Sequence, residues 1–132
     1  MPLRLTLRPH EKLFLNGAVI VNGETKADLV LLNDAAVLRE RDILTEEAAD
    51  TACKRVYFLV QLIYIDQPNM ADYQRALSQQ SSEVAVVFPD ARAHLEQIHA
   101  LVSKGDYYQA MKAARKLISI EKELLGNGRE SD

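Results

Sequence analysis

Six residues carry the chemistry that is most visible in this chain. Arg4, Thr6 and Arg8 alternate with Leu3, Leu5 and Leu7 near the start, and Arg39, Glu40 and Arg41 stand side by side further on. Alternation with period two places the first three polar heads on one face of a strand and the leucines on the other. A guanidinium can pair bidentately with a phosphate or with the O6/N7 edge of guanine. Thr6 adds a short hydroxyl, and backbone groups at a strand edge can read an unstacked base. Were the first and last strands of a sheet to lie side by side, these groups would converge on one surface able to bind RNA. The same alternation is also how any one-sided sheet meets water, with Arg39–Glu40–Arg41 as a solvated turn laced by ion pairs.

The other reactive residue types form no catalytic pattern. His94 and His99 are separated by five positions, which turns them to roughly opposite sides of a helix, whereas a metal site favours three- or four-residue spacing with a carboxylate or thiol partner. His10 has no such companion in the sequence. There is no phosphate-cradling glycine loop and no serine in a nucleophile elbow. The expectation is a binding protein and not an enzyme, with no cofactor and no metal. Cys53 is the single cysteine, so no internal disulfide can form, which fits a reducing cytoplasm. It falls among Ala49, Ala52 and Val56 in a helical pattern, the setting of a small buried hydrophobe.

Bulk properties narrow the function further. The 132 residues are 48% hydrophobic and 27% charged, an ordinary globular balance for one domain or two very small ones. The net charge is −3. Residues 1–44 carry equal numbers of basic and acidic side chains, and the excess of acid lies in residues 45–132. A protein that grips nucleic acid through a broad positive field has a basic domain. RNA binding here would have to come from the local arginine cluster and base contacts. No charged start with a long apolar stretch marks a signal peptide. The most apolar run, Val56 to Ile65, is far short of the ~20 residues that span a bilayer. A cytoplasmic protein without membrane contact is expected.

Two kinds of element must position these residues. Strands are expected near 3–8, 12–15, 18–22, 26–32 and 36–39. Asn16-Gly17 and Asn22-Gly23 supply hairpin turns that would join the middle three into a meander. Helices follow. The first is expected from an N-cap at Thr45 to an end at Asp66-Gln67-Pro68-Asn69, with Glu46 and Glu47 at the positive end of its dipole. A second, shorter one carries Met70, Tyr73 and Leu77, and the polar Gln79 to Ser82 reads as a loop. Periodicity does not settle Val84 to Phe88. A third runs from Asp90 to Lys104, with Gly105 beyond its end. Asp106 caps the last, whose apolar seam is Ala110, Ala113, Leu117, Ile120 and Leu124; Gly126 is expected to stop it. The fold class is α+β. Residues 1–44 form a small antiparallel β module of about five strands, 45–125 a bundle of about four helices, and 126–132 a flexible tail. Five strands in some forty residues is below the size that usually folds unaided, with edges open to pairing.

Several stretches together resemble a known family. Leu3-Arg4-Leu5-Thr6-Leu7-Arg8-Pro9-His10-Glu11, Leu15-Asn16-Gly17-Ala18-Val19-Ile20, Val37-Leu38-Arg39-Glu40-Arg41-Asp42-Ile43-Leu44 and Lys54-Arg55-Val56-Tyr57-Phe58 resemble the FlbT flagellum-biosynthesis repressors in order over nearly the whole chain. The resemblance implies a post-transcriptional repressor that acts at the 5′ untranslated region of flagellin messenger RNA and shortens its lifetime. The first 44 residues also resemble the carbon storage regulators, small dimeric RNA-binding proteins in which the first strand of one subunit lies beside the last strand of the other. Leu5, Thr6 and Arg8 match the first-strand pattern there. Val37, Arg39 and Glu40 match the last, with Arg39 on that family's principal RNA-contacting arginine. Leu7 and Leu38 depart from it, each at a position often held by a basic residue or histidine. With Arg4 and Arg41 added from the residue pattern, the expected RNA-binding set is Arg4, Leu5, Thr6, Arg8, Val37, Arg39, Glu40 and Arg41. The expected partners are the flagellin mRNA leader and a second copy in an intertwined homodimer. A competing expectation is a protein-interaction module that binds flagellin or another flagellar regulator and affects the transcript indirectly.

Overall fold

Asn16 and Gly17 adopt φ of 46° and 88°, the left-handed pair that a two-residue type I′ hairpin requires. They join β2 (Lys12–Leu15) to β3 (Ala18–Val21). The computed structural model describes residues 3–130, with side chains through residue 125. Among these lie three further strands, β1 (Leu3–Leu7), β4 (Ala27–Leu31) and β5 (Val37–Arg39), and four helices, α1 (Ala52–Ile65), α2 (Met70–Val87), α3 (Arg92–Ser103) and α4 (Tyr107–Glu130). The architecture is α+β, strands first and helices after. Two compact units share the chain, Met1–Ile43 and Leu44–Asp132.

The strands make two antiparallel sheets, β1-β4 and β3-β2-β5. The expected three-strand meander through β2, β3 and β4 does not form, because β4 leaves the hairpin to pair with β1. Asn22 makes the corner. Its Nδ2 donates to the carbonyls of Leu7, Arg8 and Thr25, so the chain after β3 is tied to the end of β1 and cannot continue beside β3. Leu5 then sits opposite Leu29, and Leu3 opposite Leu31. Leu5, Leu7 and Leu13 are buried together, with Ile20, Leu29, Leu31 and Val37 packed against them.

In the helical unit, the chain makes a single turn at Thr45 before α1 begins. The Thr45 hydroxyl accepts from the Ala48 N–H, which is local capping of a turn that does not propagate. The helix starts instead after Thr51, whose side chain accepts from the Lys54 N–H. The reason is distant in sequence: Glu121 of α4 accepts from Thr51 Oγ1 at 2.5 Å and from the Cys53 N–H at 3.1 Å. Glu121 is 4% exposed, so a buried carboxylate sits against the positive end of α1. It also helps burial push the Cys53 thiol up to about 12.

The polar stretch Gln79 to Ser82, expected as a loop, is the middle of the continuous α2. Leu77, Ser81 and Val84 form its buried stripe. The polar members are satisfied there: Ser81 Oγ lies 2.9 Å from His99 Nε2, and Gln80 donates to the Ala52 carbonyl. Past α3, Gly105 takes φ of 79° and donates to the Val102 carbonyl while Asp106 donates to that of Leu101, the paired bonds of a Schellman ending. The buried line of α4 is Ala110, Met111, Ala114, Leu117 and Glu121, rotated from the expected seam; Leu124 is half exposed. The helix continues through Gly126 and Gly128 to Glu130, since each glycine costs a helix only about 1 kcal/mol and no proline interrupts the segment. Of the expected tail, residues 131–132 lie outside the described residues.

Replacing Glu121 by Ala leaves the part-buried Thr51 hydroxyl and the buried Cys53 N–H without their acceptor, which should cost roughly 1–3 kcal/mol. A urea titration followed by helical circular dichroism checks this; an unchanged midpoint would remove Glu121 from the capping of α1.

Candidate nucleic-acid interface

The residues that gather around an exposed groove belong to the end of β1, the turn after it and the end of β5. Arg8-Pro9-His10-Glu11 forms a tight turn in which the Glu11 N–H donates to the Arg8 carbonyl at 3.1 Å. Proline at the second position fixes φ, and His10 at the third takes φ of 62°, the sign pattern of a type II turn. Histidine tolerates this left-handed conformation better than a β-branched residue would. The turn folds Glu11 back so that its Oε1 accepts from the Arg8 N–H at 2.9 Å.

From there the Glu11 carboxylate reaches both arginines. Oε1 lies 3.9 Å from Arg8 Nε, and Oε2 is 3.3 Å from Arg39 Nη1. Arg39 stands opposite Leu13 in the β2-β5 register, which makes Glu11, two residues before Leu13 on the same side, its diagonal neighbour. Arg39 Nη1 also donates to the Thr6 carbonyl at 3.0 Å. Strands β1 and β5, which belong to separate sheets, are thus bridged by one guanidinium. The Glu11 side chain is 8% exposed, that of Arg39 25% and that of Arg8 79%. The Arg8 N–H, together with the Arg39 and Arg8 charges, holds the Glu11 carboxyl below the usual carboxylate range against the opposing effect of burial.

Arg8, Pro9, His10, Glu11, Glu40 and Arg41 line an open groove of about 620 Å³. Glu40 and Arg41 are presented by the 3₁₀ turn Glu40–Asp42 that follows β5. Of the expected set, the groove therefore gathers Arg8, Glu40 and Arg41, and Arg39 joins it through Glu11. The others stand differently. Arg4 is exposed on β1 opposite Val30. The Thr6 hydroxyl donates to Asp28 at 2.9 Å, so its free contribution is the carbonyl that Arg39 already uses. Leu5 is buried and Val37 is half-buried against the same core; their side chains pack the sheet unit.

Three groove residues, Pro9, His10 and Glu11, were not in the expected set. The signal was the spacing Arg8 to Glu11 across Pro9-His10, a turn that brings its first and fourth residues together. Among the described residues no group of three His, Cys, Asp or Glu could hold a metal ion, and no helix is long and apolar enough to cross a membrane.

Residues 3–125 match the family model described as "Flagellar protein FlbT". The chain belongs to the FlbT family. It is 40% identical over 129 residues to the "probable flagellum biosynthesis repressor protein FlbT" of Caulobacter sp. (strain K31), covering 96% of this chain and 98% of that one. Identity is 37% over 133 residues to the "flagellum biosynthesis repressor protein FlbT" of Caulobacter vibrioides (strain ATCC 19089 / CIP 103742 / CB 15), covering 96% and 92%. A Rhodopseudomonas palustris (strain TIE-1) protein, also a "probable flagellum biosynthesis repressor protein FlbT", is 37% identical over 125 residues, covering 95% and 98%. No solved structure was found to match.

The lowered Glu11 pKa gives this FlbT chain a pH dependence of definite sign. A carboxylate whose folded pKa is depressed adds stability that is fully present above its unfolded value, near 4.5, and is lost as pH falls through the folded value. The strand unit should therefore hold its near-neutral stability down to about that pH and weaken below it, and Glu11→Gln should remove the part of this acid sensitivity that Glu11 supplies. Chemical denaturation at a series of pH values checks it; parallel acid profiles for the two proteins would contradict the assignment.

Proposed function

We propose that this chain is a post-transcriptional repressor of flagellin synthesis that binds the 5′ untranslated region of flagellin messenger RNA and promotes its degradation. It does so in the cytoplasm, as a homodimer, by binding and not by catalysis. The observation that carries the reading is the convergence of Arg8 and Arg39 on Glu11 beside Arg41 in an open groove. Three guanidinium groups there face two carboxylates, Glu11 and Glu40, so the local charge is positive in a unit whose charges sum to zero. Guanidinium supplies fixed donor pairs for phosphate or a purine edge, and the short strand segments around it expose backbone groups that suit an unstacked base. The names borne by the Caulobacter relatives supply the flagellar repressor role.

The dimer rests on the strand edges. Within the chain, β1 has β4 as its ladder partner and β5 has β2, which leaves each with a second edge able to pair with another copy. Pairing would also relieve the small size of the unit.

A second reading has its own observation. In the helical unit, Cys53, Val87, Phe88, Ala91, Leu117 and Ile120 are among the residues lining a mostly apolar cavity of about 230 Å³, and Val87, Leu124 and Leu125 are exposed close to it in sequence. Such a surface suits the apolar side of a partner helix, flagellin or another flagellar regulator among them.

Replacing Arg39 by Ala should weaken binding to the flagellin leader by roughly 1–3 kcal/mol, the cost of losing a base- or phosphate-reading arginine. Fluorescence anisotropy with labelled leader RNA measures it, with sedimentation confirming that the oligomeric state is kept. Unchanged affinity in an intact dimer would favour the partner-protein reading.

A further inference from the structure

We propose that Glu11 sets the selectivity of the arginine groove for its RNA, an assignment that rests on the RNA-binding reading above. The geometry points to two separate actions of one carboxylate. The first is orientation. Glu11 Oε2 and the Thr6 carbonyl together take up Arg39 Nη1, at 3.3 and 3.0 Å. A guanidinium has five N–H groups in a fixed plane, so holding Nη1 at two points fixes the plane. The Nε and Nη2 edge, which has no protein acceptor among the described residues, is then the edge available to a ligand. That edge is the fork that meets two acceptors side by side. Glu11 is itself a firm lever, because its carbonyl accepts from the Asn22 N–H at 2.9 Å and its Oε1 from the Arg8 N–H at 2.9 Å.

The second action is subtraction of charge. The same carboxylate lies between Arg8 and Arg39 and offsets part of their attraction for any phosphate chain. Binding to RNA through charge is indifferent to sequence, so an acidic group between two arginines weakens the indiscriminate part. Binding through an oriented fork depends on what acceptors it meets, so the same group strengthens the selective part. Glu11 is thus a positioning residue that raises discrimination at the expense of general affinity.

The test compares wild-type protein with Glu11→Gln and Glu11→Asp on two probes, the flagellin leader RNA and a scrambled RNA of equal length and composition, by anisotropy over a salt series. Thermal melting and sedimentation verify that each variant is folded and keeps its oligomeric state. Glu11→Gln should bind scrambled RNA more tightly, with a salt slope steeper by roughly 0.7, the value of one added contact to single-stranded phosphate. The leader-to-scrambled affinity ratio should fall by about tenfold, the equivalent of about 1.4 kcal/mol of discrimination. Glu11→Asp keeps the charge but withdraws the carboxylate by one methylene. It should leave scrambled binding at the wild-type level and still lower the ratio severalfold. A ratio unchanged in both variants, or equal weakening on both probes, overturns the assignment while leaving the wild-type reading in place. Failure of the wild type itself to prefer the leader overturns the RNA-binding reading, and the assignment with it.

Discussion

Glu11 accepts from the Arg8 main chain and from the Arg39 guanidinium at once, and the geometry of the strand unit hangs on that double acceptance. The two sheets share a small leucine core but no ladder bond joins β1 to β5. What ties those strands is a side chain that runs from β5 to the Thr6 carbonyl and is steadied by a carboxylate that the Pro9-His10 turn delivers. A unit this small has little apolar area to bury, so polar ties that are partly sheltered from water carry weight here that surface ion pairs elsewhere do not. The charged groups proposed to meet RNA are therefore also part of the unit's own bracing, which limits how they can move and how they can be presented.

The helical unit solves a similar problem with buried polar groups. Gln61, 3% exposed, donates to the Leu44 carbonyl and accepts from the Leu44 N–H, each at 2.8 Å, which pins the entry of the chain to the middle of α1. Ser81 and His99 link α2 to α3, with burial pushing the His99 pKa below the ordinary imidazole value. Glu121 closes α4 onto the start of α1. Each of these is a side chain that a hydrophobic-periodicity reading discards, and each is satisfied in the interior. A buried polar group left unpaired would cost more than it returns, so these pairings specify one arrangement of the helices among several that the apolar stripes alone would permit.

That division explains what was legible beforehand. The first strand follows from period-two alternation, the other four from short runs between turn signals, the hairpin from Asn16-Gly17 and the end of α3 from Gly105, all signals carried by adjacent residues. Sheet partnership was not legible, because it depends on Asn22 reaching three carbonyls, one of them fifteen residues back. The start of α1 was misplaced by six residues for the same reason: Thr45 and Thr51 look alike locally, and the residue that favours Thr51 is Glu121, seventy positions away. The polar run in α2 read as a loop because its partners, His99 and Ala52, lie on other helices. At the groove, the arginines were visible as types and spacing. Glu11, which organises them, was hidden in plain view as the fourth residue of a turn, and Leu5 and Val37 were placed in the RNA-binding set on family likeness, with side chains that pack in and against the strand core.

The clasp between Glu121 and the beginning of α1 spans much of the helical unit, and protein chains are made from one end. While a ribosome is still adding α4, the N-terminal N–H groups of α1 lack their carboxylate and one side of that helix lacks its packing partner. The strand unit ends at Ile43, and the hydrogen bonds that link Thr6, Arg8, Glu11 and Arg39 lie within it. The groove residues, from Arg8 to Arg41, therefore leave the ribosome before α4 can supply Glu121, so the half whose charges sum to zero emerges first and the acidic half follows it.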